Sequence, residues 1–146
     1  MTSGQLFVNS EPAEVEQSTS KSYSYSVSTN YSLQKFDRGV SALCWAYNEE
    51  DLIEPYLLRL SKLLHETVED FEIVVVDDCS TDRTNEIARR IQEQVPEIRM
   101  LRNERNLNVG LSCQRAIQAA RKEYLFWQTI DWSYDLGLLR TFLELL

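Results

Sequence analysis

The sequence predicts an α/β protein in which a mostly parallel sheet carries helices on both faces. Three observations predict it. Short apolar runs rich in β-branched residues recur along the chain, above all Ile73-Val74-Val75-Val76, whose unbroken apolar character fits a strand buried on both faces. Between them lie longer segments whose apolar residues repeat every three or four positions, the spacing of a helix with one buried stripe. The two kinds alternate along the chain, as parallel strands joined by right-handed helical crossovers require.

Val40 to Trp45 reads as the first strand. Glu49 to Glu66 then reads as a helix with Ile53, Leu57, Leu60 and Leu64 on one stripe. Phe71 to Val76 is the second strand. A helix from Thr84 to Gln94 follows, with Ile87, Ile91 and Val95 in line, Thr81 or Asp82 available to cap its start and Pro96 to stop it. Ile98 to Leu101 reads as a third strand, Leu111 to Arg121 as a helix carrying Ala116, Ile117 and Ala120, and Tyr124 to Trp127 as a fourth strand. Asp135 to Leu146 reads as a last helix. It ends in "LRTFLELL" with no cap or terminating Gly or Pro, so its leucines and Phe142 are expected to cover a surface supplied by further sequence.

A chain of 146 residues, 43% hydrophobic and 26% charged, suits one soluble domain, placed here at residues 38–146. Residues 1–37 contain "EPAEVEQSTSKSYSYSVSTNYS", rich in Ser, Thr and acids, and read as a disordered leader. No secretory signal, transit peptide or run of about 18 apolar residues is present. The expected location is the cytoplasm or the cytoplasmic face of a membrane, with any membrane attachment supplied by sequence outside this chain. A net charge of −8 speaks against a nucleic-acid partner, which would draw on clustered Lys and Arg. An acidic protein that handles phosphates needs a metal to mediate. The odd set of Cys44, Cys79 and Cys113 has no metal-type spacing and reads as reduced, structural thiols. The lone His65 is expected on a helix surface, without chemistry.

In "FEIVVVDDCSTDRT", Asp77 and Asp78 stand at the carboxyl end of a buried strand, the edge where open α/β sheets bind ligands. Adjacent like charges there weaken the fold unless loop amides or a ligand take them up. The loops "AYNEED", "DDCSTD" and "TIDWSYD" follow the first, second and fourth strands and therefore open on one edge. They bring Tyr47, Asn48, Glu49, Asp77, Asp78 and Asp131 to one rim. Carboxylates can accept from a pyrimidine ring N–H and from ribose hydroxyls, an aromatic ring can flank the base, and one carboxylate can hold a divalent ion that bridges a diphosphate.

Taken in order and at these separations, "ALCWAYNEED", "EIVVVDDCSTDRTNEIA", "RNERNLNVG" and "EYLFWQTIDW" resemble the donor-binding half of a family 2 glycosyltransferase with the Rossmann-like GT-A fold, incomplete at its carboxyl end. The resemblance covers residues 38–140. It implies a nucleotide pocket lined by Ala46, Tyr47, Glu49 and Asp77, with Asp78 on the base and Asp131 on Mg²⁺ or Mn²⁺ bound together with the nucleotide. Asp131 matches the last acid of the family's Asp-x-Asp motif, while Thr129 stands at the first. Trp45 replaces a frequent Pro, Asn108 a usual Gly, and Cys113-Gln114 a frequent Arg-Asn pair. Asn tolerates a Gly position because it visits the left-handed region more readily than other residues.

The implied activity is inverting transfer of a sugar from a nucleotide-diphosphate donor to a saccharide or lipid-carrier acceptor. No residue of this chain reads as the catalytic base, which the family supplies from its other half, so the chain alone is expected to be inactive. Two alternatives stay open. One is a non-catalytic nucleotide-sugar-binding module, encouraged by Thr129. The other is a receiver-like Mg²⁺-binding signalling domain, whose acid pair would follow the first strand rather than the second.

Overall fold

Four strands, all parallel, form one sheet in the order β3-β2-β1-β4: β1 is Val40–Ala46, β2 Phe71–Asp77, β3 Ile98–Arg102 and β4 Tyr124–Trp127. They alternate with the helices α1 (Ile53–Thr67), α2 (Thr84–Gln94) and α3 (Asn108–Ala119). A 3-10 turn, Leu136–Leu138, leads into the short α4 (Leu139–Leu143). This computed structural model describes residues 34–133 and 135–146.

Alternation along the strands decides which helix lies on which face. Val40, Ala42, Cys44 and Ala46 of β1, with Phe71, Ile73 and Val75 of β2, pack with α1, α2 and α4. The intervening Leu43, Val74 and Val76 pack with Ala116 of α3 on the opposite face. Every residue of β2 is buried, as its unbroken apolar run requires. In α1 the predicted stripe of Ile53, Leu57, Leu60 and Leu64 is wholly buried, each side chain contributing about 1.5–3 kcal/mol relative to exposure.

Helix boundaries differ from those the sequence predicts, for local reasons. The α1 helix starts at Ile53 rather than Glu49, because Glu49 accepts on its carbonyl from the N–H groups of Leu52 and Ile53 and so closes a turn. The α3 helix starts earlier, at Asn108, which takes the left-handed φ of 62° while Asn106 Oδ1 accepts from its N–H at 2.9 Å. It ends at Ala119 because Ala120 is extended. The last helix covers far less than Asp135 to Leu146. The leader expected over residues 1–37 lies, for residues 1–33, outside the described residues. At its end, Phe36 bridges to Val68 and packs edge-on against Tyr124.

The amino-terminal end of the sheet is closed by a buried carboxylate. Glu72 accepts from Ser41 Oγ at 2.7 Å, the Arg121 N–H at 2.5 Å and Arg99 Nη1 at 2.5 Å, tying β1, β2, β3 and the α3–β4 connection together. Burial works to raise its carboxyl pKa, but these bonds and the Arg99 charge prevail and hold it below the usual value.

At the carboxyl end the chain changes direction. The path runs from β1 outward to β2 and β3, then crosses back to place β4 on the other side of β1. The opening between the carboxyl ends of β1 and β4 is thus a topological switch point, where α/β sheets form binding crevices.

Candidate functional site

Two loops at this edge are zipped together by their own backbone. Asn48 takes φ 56°, which turns its N–H onto Ser80 Oγ at 3.0 Å and its Oδ1 onto the Thr81 N–H at 2.8 Å. Glu49 N–H donates to Thr84 Oγ1 at 2.7 Å, and Glu50 N–H to Asp82 Oδ2 at 3.1 Å. Asp82 Oδ1 also accepts from the Thr84 N–H at 2.9 Å, so Asp82 takes up the first N–H of α2 from one position further out than the sequence suggests, the N-cap itself being Arg83. Burial opposes ionisation of Asp82, but the Thr84 bonds hold its carboxyl below the usual value.

The acid pair of β2 divides its tasks. Asp77 is the last residue of the strand, paired in register with Ala46, and is fully buried. Its Oδ1 accepts from the Ser80 N–H at 3.0 Å, bracing the turn, while Oδ2 makes no hydrogen bond and faces Arg102 Nε at 3.4 Å. Asp78 N–H donates to the Ala46 carbonyl at 2.8 Å. Its Oδ1 accepts from Asn103 Nδ2 at 2.6 Å and from the Leu107 N–H at 2.8 Å, next to the start of α3. Burial raises the Asp78 pKa, but the bonds from Asn103, Leu107 and Ser112 outweigh it, and the carboxyl stays ionised to lower pH than usual. Cys79 follows at a left-handed φ of 65°. All three cysteines are free thiols, and burial pushes that of Cys44 up to about 12 against a bond from Tyr56 that lowers it.

Across the switch point stands the loop after β4. Ile130 is buried and Trp132 is tucked against α1, leaving Asp131 between them exposed. Asp131 Oδ1 accepts from Ser133 Oγ at 2.6 Å and from the Ser133 N–H at 3.2 Å. Bonds from Ser133 and then Thr129 hold the Asp131 carboxyl below its usual value. Glu49 behaves oppositely. Partial burial raises its pKa, and the charges of Asp131 and then Asp82 raise it further.

Ala46, Tyr47, Glu49, Asp77, Asp78 and Asp131 therefore all lie at one edge of the sheet. Ala46 is buried, while Tyr47 is 46% exposed and offers an unpaired ring face at the rim. The arrangement has two parts: Glu49 faces Asp131 across the β1–β4 opening, and Asp78 is held among Asn103, Leu107 and Ser112. Sequence reasoning missed Ser80, Thr84, Asn103 and Ser112. Asn103 had a signal, as it opens the Asn-rich turn "NERN"; the others needed loop-to-loop contacts.

Among the described residues, no three His, Cys, Asp or Glu side chains converge as a cage for a metal ion. Two carboxylates without a cationic partner among those residues, at an open crevice, nonetheless fit an ion that brings phosphate and water oxygens as its remaining ligands, the usual manner of Mg²⁺ binding.

The parallel sheet with its helices is shared with known proteins. The family model for glycosyl transferase family 2 matches residues 41–146. The chain belongs to that family. An uncharacterized glycosyltransferase of Methanocaldococcus jannaschii is 33% identical over 88 residues, 59% of this chain and 29% of that protein. Among solved structures, the mannosyltransferase PcManGT from Pyrobaculum calidifontis, in complex with GDP-Man and Mn²⁺, superposes with a TM-score of 0.59 at 24% identity, over 71% of this chain and 31% of the other. S. aureus TarS 1–349 in complex with UDP gives a TM-score of 0.55 at 29% identity, over 64% and 27%. The chain spans less than a third of the length of these proteins, 29% of the M. jannaschii relative. Among the described residues no helix is long and apolar enough to cross a membrane.

Proposed function

We propose that this family 2 chain carries the donor nucleotide and metal site of a glycosyltransferase that moves a sugar, with inversion, from a nucleotide-diphosphate donor to a saccharide or lipid-carrier acceptor. The observation that carries the reading is the placement of Glu49 and Asp131 on the loops either side of the β1–β4 switch point, where the charge of Asp131 adds to burial in raising the Glu49 pKa. A solved structure of similar fold holds GDP-Man with Mn²⁺ and another holds UDP, which supports this class of donor.

In this reading Asp78 accepts from the ring N–H of the base, Tyr47 flanks the base, and the Ala46 backbone lines the pocket floor. Asp77 acts through the turn it braces. Asp131 would hold a divalent ion together with the diphosphate, with Glu49 nearby. Such an ion supplies charge neutralisation for the departing diphosphate. Residues of the chain do the rest: the zipped loops hold the rim rigid, and preorganised acceptors avoid reorganisation when the donor arrives. A base that deprotonates the acceptor hydroxyl is required for in-line attack at the anomeric carbon. No residue of this chain is assigned that task, so this chain alone is expected to bind donor without transferring sugar. It would work where its thiols stay reduced and nucleotide sugars are supplied, the cytoplasm or its membrane face.

Calorimetry with UDP and with GDP tests the reading on wild type and Asp78→Ala. Wild type should bind one of them in Mn²⁺, and the variant should lose at least about tenfold in affinity, equivalent to about 1.4 kcal/mol. Affinity of the variant within about twofold of wild type, about 0.4 kcal/mol, would remove Asp78 from the base.

A further inference from the structure

Trp132 is the bulkiest residue of the fold at a left-handed backbone angle, φ 57°. A large side chain persists there only when its surroundings over-determine it, and such strain gathers at functional sites. Three contacts hold it. Its ring lies 5.3 Å from that of Tyr56, and the Arg59 guanidinium sits 4.1 Å from its centroid on the α1 side. Its N–H donates to the Thr129 carbonyl at 3.1 Å, closing a turn around Asp131.

The same helix grips the loop a second time. Tyr56, fully buried, donates its hydroxyl to the Gln128 carbonyl at 3.0 Å. Gln128, the buried Ile130 and Trp132 therefore anchor the loop at alternate positions. Thr129 and Asp131 are the residues between anchors, and Asp131 is the one left pointing outward. At its amino end α1 is joined to Glu49, whose carbonyl accepts from Leu52 and Ile53. One helix thus fixes both sides of the opening: Glu49 through its first turn, Asp131 through Tyr56, Arg59 and Trp132.

We propose that Trp132, clamped by Tyr56 and Arg59, is a positioning residue that sets the place of Asp131 opposite Glu49 and so tunes capture of a divalent ion with a nucleoside diphosphate. The inference rests on the functional reading above for its ligand. It makes none of the three residues catalytic: each acts through the backbone of the loop, and none needs to touch the donor.

The test uses the full chain, with Mn²⁺ and either UDP or GDP as probes, in wild type, Trp132→Ala, Trp132→Phe and Arg59→Ala. Arg59 is exposed, so its removal leaves the core packed and guards against a variant that simply fails to fold. Two quantities are read. The first is the gain in nucleotide affinity that Mn²⁺ brings. It should fall about tenfold in Trp132→Ala and severalfold in Arg59→Ala, recover in Trp132→Phe, and leave metal-free nucleotide affinity within about twofold throughout. A role in folding alone would lower both affinities together, which would overturn the proposal. The second is the NMR order parameter of the Asp131 amide without ligand, expected near about 0.85 in wild type and below about 0.6 in Trp132→Ala. An Asp131 amide equally rigid in both proteins overturns the clamp. Should Mn²⁺ make no difference to wild type while Asp131 still loosens in Trp132→Ala, the donor-site reading falls and the clamp stands.

Discussion

The two ends of the sheet both bury carboxylates, and they treat them in opposite ways. At the amino-terminal end Glu72 is saturated by Ser41, Arg99 and the Arg121 N–H, which come from β1, β3 and the α3–β4 connection. At the carboxyl-terminal end Asp77 Oδ2 faces Arg102 without a hydrogen bond, while burial and the charge of Asp131 raise the pKa of Glu49. The first end is built for stability. The second leaves the Glu49 charge opposed by its neighbours, which is the arrangement expected of a site completed by a ligand.

The comparison breaks most visibly at Glu72. Glu72→Ala strands the partly buried Arg99 and should cost about 3 kcal/mol, read as a lower urea midpoint, because removing one partner of a buried ion pair leaves the other uncompensated. Its pH dependence has a definite sign. The Glu72 carboxyl is lowered in the folded state, so its contribution is complete above the ordinary glutamate pKa and lost as pH falls through the folded value. Glu72→Gln should abolish that part of the acid loss.

Asp78→Ala comes next, with an expected stability loss of about 1–3 kcal/mol as the Asn103 amide and the Leu107 N–H lose their acceptor. Here the loss of nucleotide affinity should accompany the loss of stability, whereas Glu72→Ala should lower stability alone. Equal effects of both variants on binding by the folded protein would erase the distinction between the two ends.

Thr129→Asp sharpens the contrast from the other side. Thr129 Oγ1 lies by the Ser133 N–H at 3.2 Å in the loop of Asp131, so a second carboxylate there should tighten Mn²⁺ binding in the presence of nucleotide about tenfold and slightly destabilise the ligand-free protein. The smallest effect belongs to Glu49→Gln. Its carboxyl pKa is raised on folding, so ionised Glu49 opposes folding, a penalty that grows as pH rises from the ordinary value through the raised one. The variant should therefore be more stable at neutral pH by under about 1 kcal/mol and unchanged in acid, as thermal melts at the two pH values would show.

Much of this was legible in the chain because strand burial writes itself into composition. The β2 run could be placed at once, and the alternation of periods led to a parallel sheet without any contact being known. The edge that gathers Tyr47, Glu49, Asp78 and Asp131 followed from topology alone, since loops after parallel strands share one end. What stayed hidden was set across the chain. The delayed start of α1 depends on Asn48 and Glu49 bonding to Ser80 and Thr84, and no local pattern reports such partners. Glu72 sits within an apolar run, where its spacing says nothing of the Arg121 amide that meets it. Trp132 reads as one more aromatic until its backbone angle and its contact with Arg59 are seen.

Whether the carboxyl-terminal end captures metal only together with the donor is read from paramagnetic relaxation in a Mn²⁺ titration with and without UDP or GDP, on wild type and Asp131→Ala. One carboxylate at Asp131 with Glu49 nearby is too little for tight capture of a bare ion, so wild type should bind Mn²⁺ measurably only with nucleotide present, and Asp131→Ala should lose that ternary binding. Tight binding of Mn²⁺ by nucleotide-free wild type, or ternary binding unchanged in Asp131→Ala, would contradict the account.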